Sequence, residues 1–466
     1  MSLIHNVIRS ISVCSVEKLR TLKIACLLGV AVLQTVTSGA QPVTNIAPGK
    51  FHSLFLKSNG SLWVMGNNQS GPLGDGTTLQ SIVPECIVTN GVKAIAGGAY
   101  WSLFVKSDGS LWAVGNNGAG QLGDGTLTER HVPEEIVSSN VTAIAAGNFH
   151  SLFLKSDGSL WGMGANAAGQ LGDGTGNPTN FPEQIVSSNV TAISAGDTHS
   201  LFLKSDGSLW GMGANGFGQL GDGTNINRHT PEEIVSSNVV AIAAGEEHSL
   251  FIKSDGSLWG MGLNNVGQLG DRTFITTNTP QEIVTNNVIA IAGGGSHSLF
   301  LKSDGSLWAM GLNFSGQLGD GTGNYDTNTP EKIVPGDVVA IAAGEWHSLF
   351  LKSDGSLWGM GYDANGQLGD GTPTIGVSIP EQILAYLPVP AIVGISLSGA
   401  NLVVDGSNGQ SNKTYSVLMS VNMALPLSQW TPVTTNVLTD SGNFTITATN
   451  AVSPGASQQF YILRVQ

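Results

Sequence analysis

Val141–Gly147 reads VTAIAAG, His150–Gly164 reads HSLFLKSDGSLWGMG, Gly169–Thr175 reads GQLGDGT and Pro182–Val186 reads PEQIV. This unit decides the fold, because it recurs along the chain with little change. Its tryptophan has counterparts at Trp63, Trp112, Trp210, Trp259, Trp308 and Trp358, spaced 49 residues apart five times around Trp161 and then 50. Seven units run from about Val43 to Tyr386, and a period of this length marks a repeat architecture. Within each unit the residues predict four short strands. The small apolar run Val141–Ala146 suits a crowded innermost strand, and Ser151–Lys155 and Ser159–Met163 flank the hairpin turn signal Ser156-Asp157-Gly158. Glu183–Val186, after a proline, suits an outer strand, where proline is tolerated at starts and edges.

Apolar residues fall on both faces of the second strand, with Leu152 and Leu154 on one and Phe153 on the other. A sheet apolar on both faces has to be covered on both. Blades packed around an axis achieve this. An open solenoid needs atypical end units, whereas here the first and last units keep the full pattern. The expected architecture is all-β: a seven-bladed β-propeller over residues 43–386. The sequence leaves open whether each blade is built from consecutive strands or the two termini share one.

The flanking segments read differently. Lys18, Arg20 and Lys23 precede the apolar run Ile24–Leu33, and small residues at Ser38 and Ala40 fit a cleavage site before Gln41. Residues 1–40 are therefore expected to be a signal peptide, removed on export. Cys26 starts the apolar run rather than following it, which excludes a lipid-attachment site. Cys14 and Cys26 would leave with the signal, so Cys86 alone remains and no internal disulfide can form. Residues 387–390 (Leu-Pro-Val-Pro) read as a linker. Residues 391–466 predict six strands, at Ile392–Leu397, Leu402–Val404, Tyr415–Met419, Gln429–Val433, Phe444–Ala448 and Phe460–Val465. They suggest a small immunoglobulin- or fibronectin-like β-sandwich with Tyr415 and Trp430 in its core.

The full chain carries a formal net charge of −14. Without residues 1–40 it holds 15 bases against 32 acids, a net of −17. Phosphate-backbone binding needs clustered Lys and Arg, so nucleic acid is not an expected partner. Neither is an anionic membrane, nor membrane insertion once the signal is cleaved. The protein is expected to be secreted or held at the cell surface.

Taken together, the motifs AGxxHSL, DGSLWxxG and GQLGDGT resemble the regulator-of-chromosome-condensation repeat family, in a bacterial-type secreted form. The resemblance covers about three quarters of the chain and implies a seven-bladed propeller. It leaves function open, since members include a guanine-nucleotide exchange factor, a plant ultraviolet photoreceptor and a bacterial secreted β-lactamase inhibitor. The exchange factor's activity depends on a wedge, for which the even spacing leaves no room, and on a basic DNA-binding tail, whereas the chain without residues 1–40 is acidic. The photoreceptor's clustered extra tryptophans are not matched either. Outside the framework set the propeller has only Trp101 and Trp346, far apart in sequence.

Six histidines, His52, His150, His199, His248, His297 and His347, share one repeat position, which Trp101 takes in the second unit. Rotation about the axis separates them too far to hold a metal, and each is expected to hydrogen-bond a neighbouring loop. Asp75, Asp124, Asp173, Asp222, Asp271, Asp320 and Asp370 recur in the LGDGT loop. They fit a side-chain turn, with calcium ligation as the alternative. No nucleophile, base and oxyanion donors stand in an asymmetric cluster. Neither enzyme activity nor a cofactor is therefore expected.

What distinguishes one unit from another lies in three sets of positions. One precedes the framework histidine: Lys50-Phe51, Ala99-Tyr100, Asn148-Phe149, Asp197-Thr198, Glu246-Glu247, Gly295-Ser296 and Glu345-Trp346. A second follows the third strand and includes Ala119, Phe217, Val266, Phe314 and Tyr362. The third lies before the outer-strand proline: Arg130-His131, Asn180-Phe181, Arg228-His229, Phe274 and Tyr325. Variable loops on a fixed framework carry function, and aromatics anchor protein interfaces. Phe51, Tyr100, Trp101, Phe149, Phe217, Phe314, Trp346 and Tyr362 are the expected partner-contacting residues. The expected function is an exported protein-binding scaffold. Two other readings stay open: an inhibitor of a secreted or cell-wall enzyme, and a loop-borne hydrolase or lyase.

Overall fold

In the computed structural model, the described residues are 41–323, 326–384, 391–398, 401–409, 414–420, 429–438, 442–451 and 460–465. The signal-peptide and linker expectations fall outside them. Residues Pro42–Tyr386 form one compact unit, and the strands after Leu387 belong to another. The first unit is a seven-bladed propeller. Each blade is a four-stranded antiparallel sheet whose strands follow one another in sequence order. Blade 1 contains Val43–Pro48, His52–Lys57, Leu62–Gly66 and Ser81–Val88. Blade 7 contains Val338–Ala343, His347–Lys352, Leu357–Gly361 and Val377–Leu384. No strand is shared between termini, which resolves the alternative left open by the sequence.

The outer strands are longer than expected. In blade 3 the strand is Thr179–Val186, with Pro182 inside it. The proline is tolerated because its ladder is irregular, the register shifting between Gly162 and Gly164, and because this strand is the edge of its sheet.

The core lies between blades. Phe55 of blade 1 packs with Leu349, Leu351 and Leu357 of blade 7, and Phe153 of blade 3 packs with Leu103, Val105 and Leu111 of blade 2. Every blade supplies such a phenylalanine, at 0–1% exposure, stacked on its own tryptophan with ring centroids 5.9–6.1 Å apart. The other end of each tryptophan is fixed as well, its indole N–H donating to a serine hydroxyl two residues earlier at 2.8–2.9 Å.

The framework histidines sew blades together, to a strand rather than to a loop as the sequence suggested. Nε2 of His52, His150, His199, His248, His297 and His347 lies 2.9 Å from the hydroxyl of Ser102, Ser200, Ser249, Ser298, Ser348 and Ser53, each on the next blade. Each of those serines donates its single proton to a backbone carbonyl in the histidine's own blade, as Ser53 does to Gln367 at 2.7 Å. The serine must therefore accept from the imidazole, which fixes the Nε2–H tautomer. The His347–Ser53 link closes the ring with the bond used at five of the other six interfaces; between blades 2 and 3, Trp101 stands in the histidine's place. Space for the imidazole comes from glycine. A Cβ on Gly196 would stand 2.3 Å from the His199 ring and 2.4 Å from the Gly245 carbonyl.

After Leu387 the six expected strands form two three-stranded sheets, one of Ala391–Ser398, Asn401–Gly409 and Gly442–Ala448, the other of Thr431–Val437, Thr414–Ser420 and Phe460–Val465. Leu402, Val404, Phe444 and Ile446 of the first share a core with Tyr415 and Val417 of the second. Trp430 is buried, as is Tyr415. This is the small β-sandwich of the expected fold class.

Burial pushes the imidazoles down from 6.5, to about 4 for His52, His150 and His248 and to about 3 for His199, His297 and His347. A group held below its unfolded value leaves stability whole above pH 6.5 and removes it as pH falls toward the folded value. Thermal melts should therefore show a steep loss of stability from pH 6.5 to 4, with several protons taken up on unfolding near pH 5. A flat profile over that range would show that the histidines are not held neutral.

Candidate functional site

The strand order puts two loops of each blade, inner to second strand and third to outer strand, on one face of the ring. The opposite face carries the Ser-Asp-Gly hairpins and the turns between blades, and these vary little. There Asn140, Asn189, Asn238, Asn287 and Asp337 hold φ of 65–68°, a conformation Asn and Asp tolerate better than most side chains. Sequence differences between units are thus concentrated on the first face.

Four of the expected contact residues converge there. Phe51, Tyr100, Trp346 and Tyr362 come from blades 1, 2 and 7 and form one half-buried cluster. The Phe51 ring centroid lies 5.6 Å from Tyr100, 5.6 Å from Trp346 and 6.5 Å from Tyr362, and Trp346 meets Tyr362 edge-on at 5.5 Å. Such spacings suit edge-to-face and tilted aromatic contact. Phe149, Phe217 and Phe314 are exposed on the same face, at 41%, 40% and 73%, and join no such group. Trp101 is a correction. It is 0% exposed and packs in the core with Leu103, Leu122 and Met163. Substituting for a framework histidine, it inherits that residue's buried slot. Its indole nitrogen has no hydrogen-bond partner. Tyr325, from the third set, lies outside the described residues.

At the centre of the same face the axial channel opens between the glycines that accommodate the imidazoles. Lys50, Asn148, Asp197, Glu246 and Glu345 surround this mouth. The Lys50 ammonium reaches 2.5 Å from Glu345 of the adjacent blade and 3.4 Å from Glu246 on blade 5, so it lies across the opening. Burial pushes the Glu246 carboxyl up, Lys50 pulls it back, and Asp197 adds to the rise. Glu247 is also raised, by burial and then by Asp197 and Glu246. Four acids meet one lysine here. The face therefore has an aromatic sector over blades 7, 1 and 2 and an acidic sector over blades 4 and 5. The aromatics could be found from sequence because they are large and irregular. The acids were visible as variable positions, but their approach across the axis depends on the closed ring.

Elsewhere the recurring polar groups have structural partners. Asp75 accepts from the Thr77 amide at 2.8 Å and from Asn68 Nδ2 at 3.0 Å, an arrangement close to that of Asp124 and Asp173. The aspartates thus shape their own loops. Among the described residues no group of three or more His, Cys, Asp or Glu is placed to share a metal ion.

The fold and its repeats define the class, a seven-bladed propeller of regulator-of-chromosome-condensation repeats. The RCC1-like domain model matches residues 134–404, and repeat models of the regulator of chromosome condensation match 108–154 and 43–71. The chain belongs to this RCC1-like family. Among solved structures it is similar to human WBSCR16, at 23% identity and a TM-score of 0.64, over 71% of this chain and 96% of that one. It is also similar to yeast RCC1 (Prp20) in its complex with Kap60, at 20% identity and a TM-score of 0.63, over 81% and 91%. A second structure, of Prp20p from Saccharomyces cerevisiae, gives 23% identity and a TM-score of 0.58, over 65% and 80%. No curated protein sequence matches. At these identities the likeness shows the fold alone.

Since Lys50 holds Glu246 down against its other neighbours, Lys50→Met should raise the Glu246 titration midpoint further, read by carboxyl NMR shifts. An unchanged midpoint would show that the lysine does not lie across the mouth in solution.

Proposed function

We propose that this protein is an exported scaffold that binds a protein partner through the variable face of its propeller, and that it is not an enzyme. The observation that carries this reading is the convergence of Phe51, Tyr100, Trp346 and Tyr362, from three different units, on the face where the units differ. Interface energy concentrates in a few aromatic anchors within a polar rim, and the acidic mouth beside them supplies such a rim. The mouth's charge favours a partner that presents Lys or Arg there, with apolar side chains against the aromatic sector. The fold is compatible with such a role: the yeast relatives' structures concern binding of Prp20p to Gsp1p and histones, and of RCC1 to Kap60. Export is supported by the basic, apolar and small-residue sequence of 18–40.

The test is affinity capture from culture supernatant and cell-surface extract, with the mature chain and with Phe51→Ala/Trp346→Ala. The double variant should weaken capture of the same partner about 30-fold or more, by the hot-spot scale. Glu246→Gln/Glu247→Gln should instead flatten the salt dependence. The exported chain should begin at Gln41 on N-terminal sequencing. Capture indifferent to both double variants would refute the choice of face. Turnover of a peptide or polysaccharide, with no partner captured, would refute the binding reading.

A further inference from the structure

In six units the loop after the third strand is held by a buried asparagine. Asn68, Asn117, Asn166, Asn215, Asn264 and Asn313 each donate Nδ2 to the loop aspartate's Oδ1 at 2.9–3.0 Å, and each Oδ1 accepts the amide of a leucine five residues on at 2.9–3.1 Å. The amide is suited to this because one end donates and the other accepts. The seventh unit has Asp363 in that place. Its Oδ1 still accepts the Leu368 amide, at 2.6 Å. Its Oδ2, standing where the other units have a donor, is buried without a partner in a side chain that is 0% exposed. Beside it is the loop aspartate, Asp370, near enough to act on the Asp363 carboxyl.

No cation comes to this pair from the strands around it. The outer strand of blade 7 starts at Val377, where blades 2 and 4 place Arg130 and Arg228 on Asp124 and Asp222. That strand carries Glu381, and the outer strand of blade 1 carries Glu85. The third strand of blade 7 has no titratable side chain, and Lys352 at the end of the second lies over the Trp358 ring, 4.0 Å from its centroid. His347, at the other end, is neutral and engaged with Ser53. Asp363 is buried and Asp370 is half-buried beside it, and two carboxylates so placed cannot both ionise cheaply.

We propose that the seventh unit holds one proton between Asp363 and Asp370, in place of the amide hydrogen of the other units, and that this proton latches the seam where the ring closes. The loop 363–371 is one of that seam's fastenings. The Gln367 carbonyl accepts Ser53 of blade 1 at 2.7 Å, and the Gly371 amide donates to the Ile82 carbonyl of blade 1 at 3.0 Å. Leu368 joins the core shared by the two blades. Loss of the proton puts two like charges in contact beneath those bonds and loosens the seam. The local electrostatics agree: burial first, then Asp370 and Glu381, raise the Asp363 carboxyl to about 7 against the pull of the Leu368 amide. In Asp75, Asp124 and Asp173 burial also acts upward, but hydrogen bonds from threonine and asparagine outweigh it and hold the carboxyl below its usual range.

A carboxyl raised in the fold costs stability progressively as pH climbs from its unfolded value to its folded one, here from about 4 to about 7, and no further above that. The histidines act in the opposite direction at lower pH and are common to wild type and variant, so the comparison cancels them. Melting and denaturant unfolding of the mature chain and of Asp363→Asn, at pH 5 and pH 8, give the test. The ratio of folding constants, variant over wild type, should grow up to about a hundredfold between those pH values, with Asp370→Asn showing a smaller pH dependence of the same sign. Asn166→Asp, in a unit away from the seam, should import the pH dependence. Parallel profiles for wild type and Asp363→Asn would overturn the proposal. So would a rise in wild-type melting temperature with millimolar Ca2+, reversed by EDTA and absent in Asp363→Asn, because the pair would then hold a metal ion and not a proton.

Discussion

A blade of this propeller is apolar on both faces and cannot be stable alone. Phe153 needs Leu103, Val105 and Leu111 of the blade before it, and its own blade's Leu152 and Leu154 serve Phe202 of the blade after it. That mutual need, repeated seven times, leaves no end that can face water, so the chain must return to its beginning. The buried His–Ser–carbonyl links follow the same logic at the inner end of six of the seven interfaces, all but that between blades 2 and 3. They give direction to contacts that apolar packing alone would leave able to slide.

Ring closure is the point at which this arrangement is most exposed. Because each blade is made of consecutive strands, nothing covalent and no shared sheet joins blade 7 to blade 1. The seam relies on Phe55 against Leu349 and Leu351, on His347 with Ser53, and on the loop around Gln367. It is also where the repeat departs from its own pattern, at Asp363. Arg272 is another departure, holding φ of 69° where the equivalent loop position is glycine in the other units. It still donates its amide to the next blade, at Asn328, as Gly223 does to Asn278. That shows how strongly the inter-blade bond fixes this backbone.

The fold was legible because its signals repeat. Seven copies of one hydrophobic pattern specify strands, turns and two-sided burial together. The inner strands and hairpins could be read almost residue by residue from Val141–Trp161. Pro182 misled the reading of the outer strand, since a lone edge with an irregular ladder accepts a proline that regular pairing would reject. The site was legible only in part. Phe51, Tyr100, Trp346 and Tyr362 stood out as irregular aromatics, but their contact joins residues up to 311 positions apart and exists only in the closed ring. Trp101 misled for a physical reason: chemical irregularity does not imply exposure, and a large ring can fill a histidine's slot. Asp363 passed unnoticed because Asn and Asp look alike in a loop motif, and only the burial of Oδ2 makes the difference matter.

Closure of the ring is the claim on which the rest stands, and a deletion reads it most directly. Equilibrium denaturation of a chain ending at Leu384 should be compared with one ending at Val334, which lacks the seventh unit. If the ring is obligatory, the shorter chain loses its cooperative transition altogether, because blades 1 and 6 are each left with a bare apolar face. If it instead unfolds cooperatively with only a modest drop in midpoint, as an open array with nearest-neighbour coupling does, the closed-ring account is contradicted.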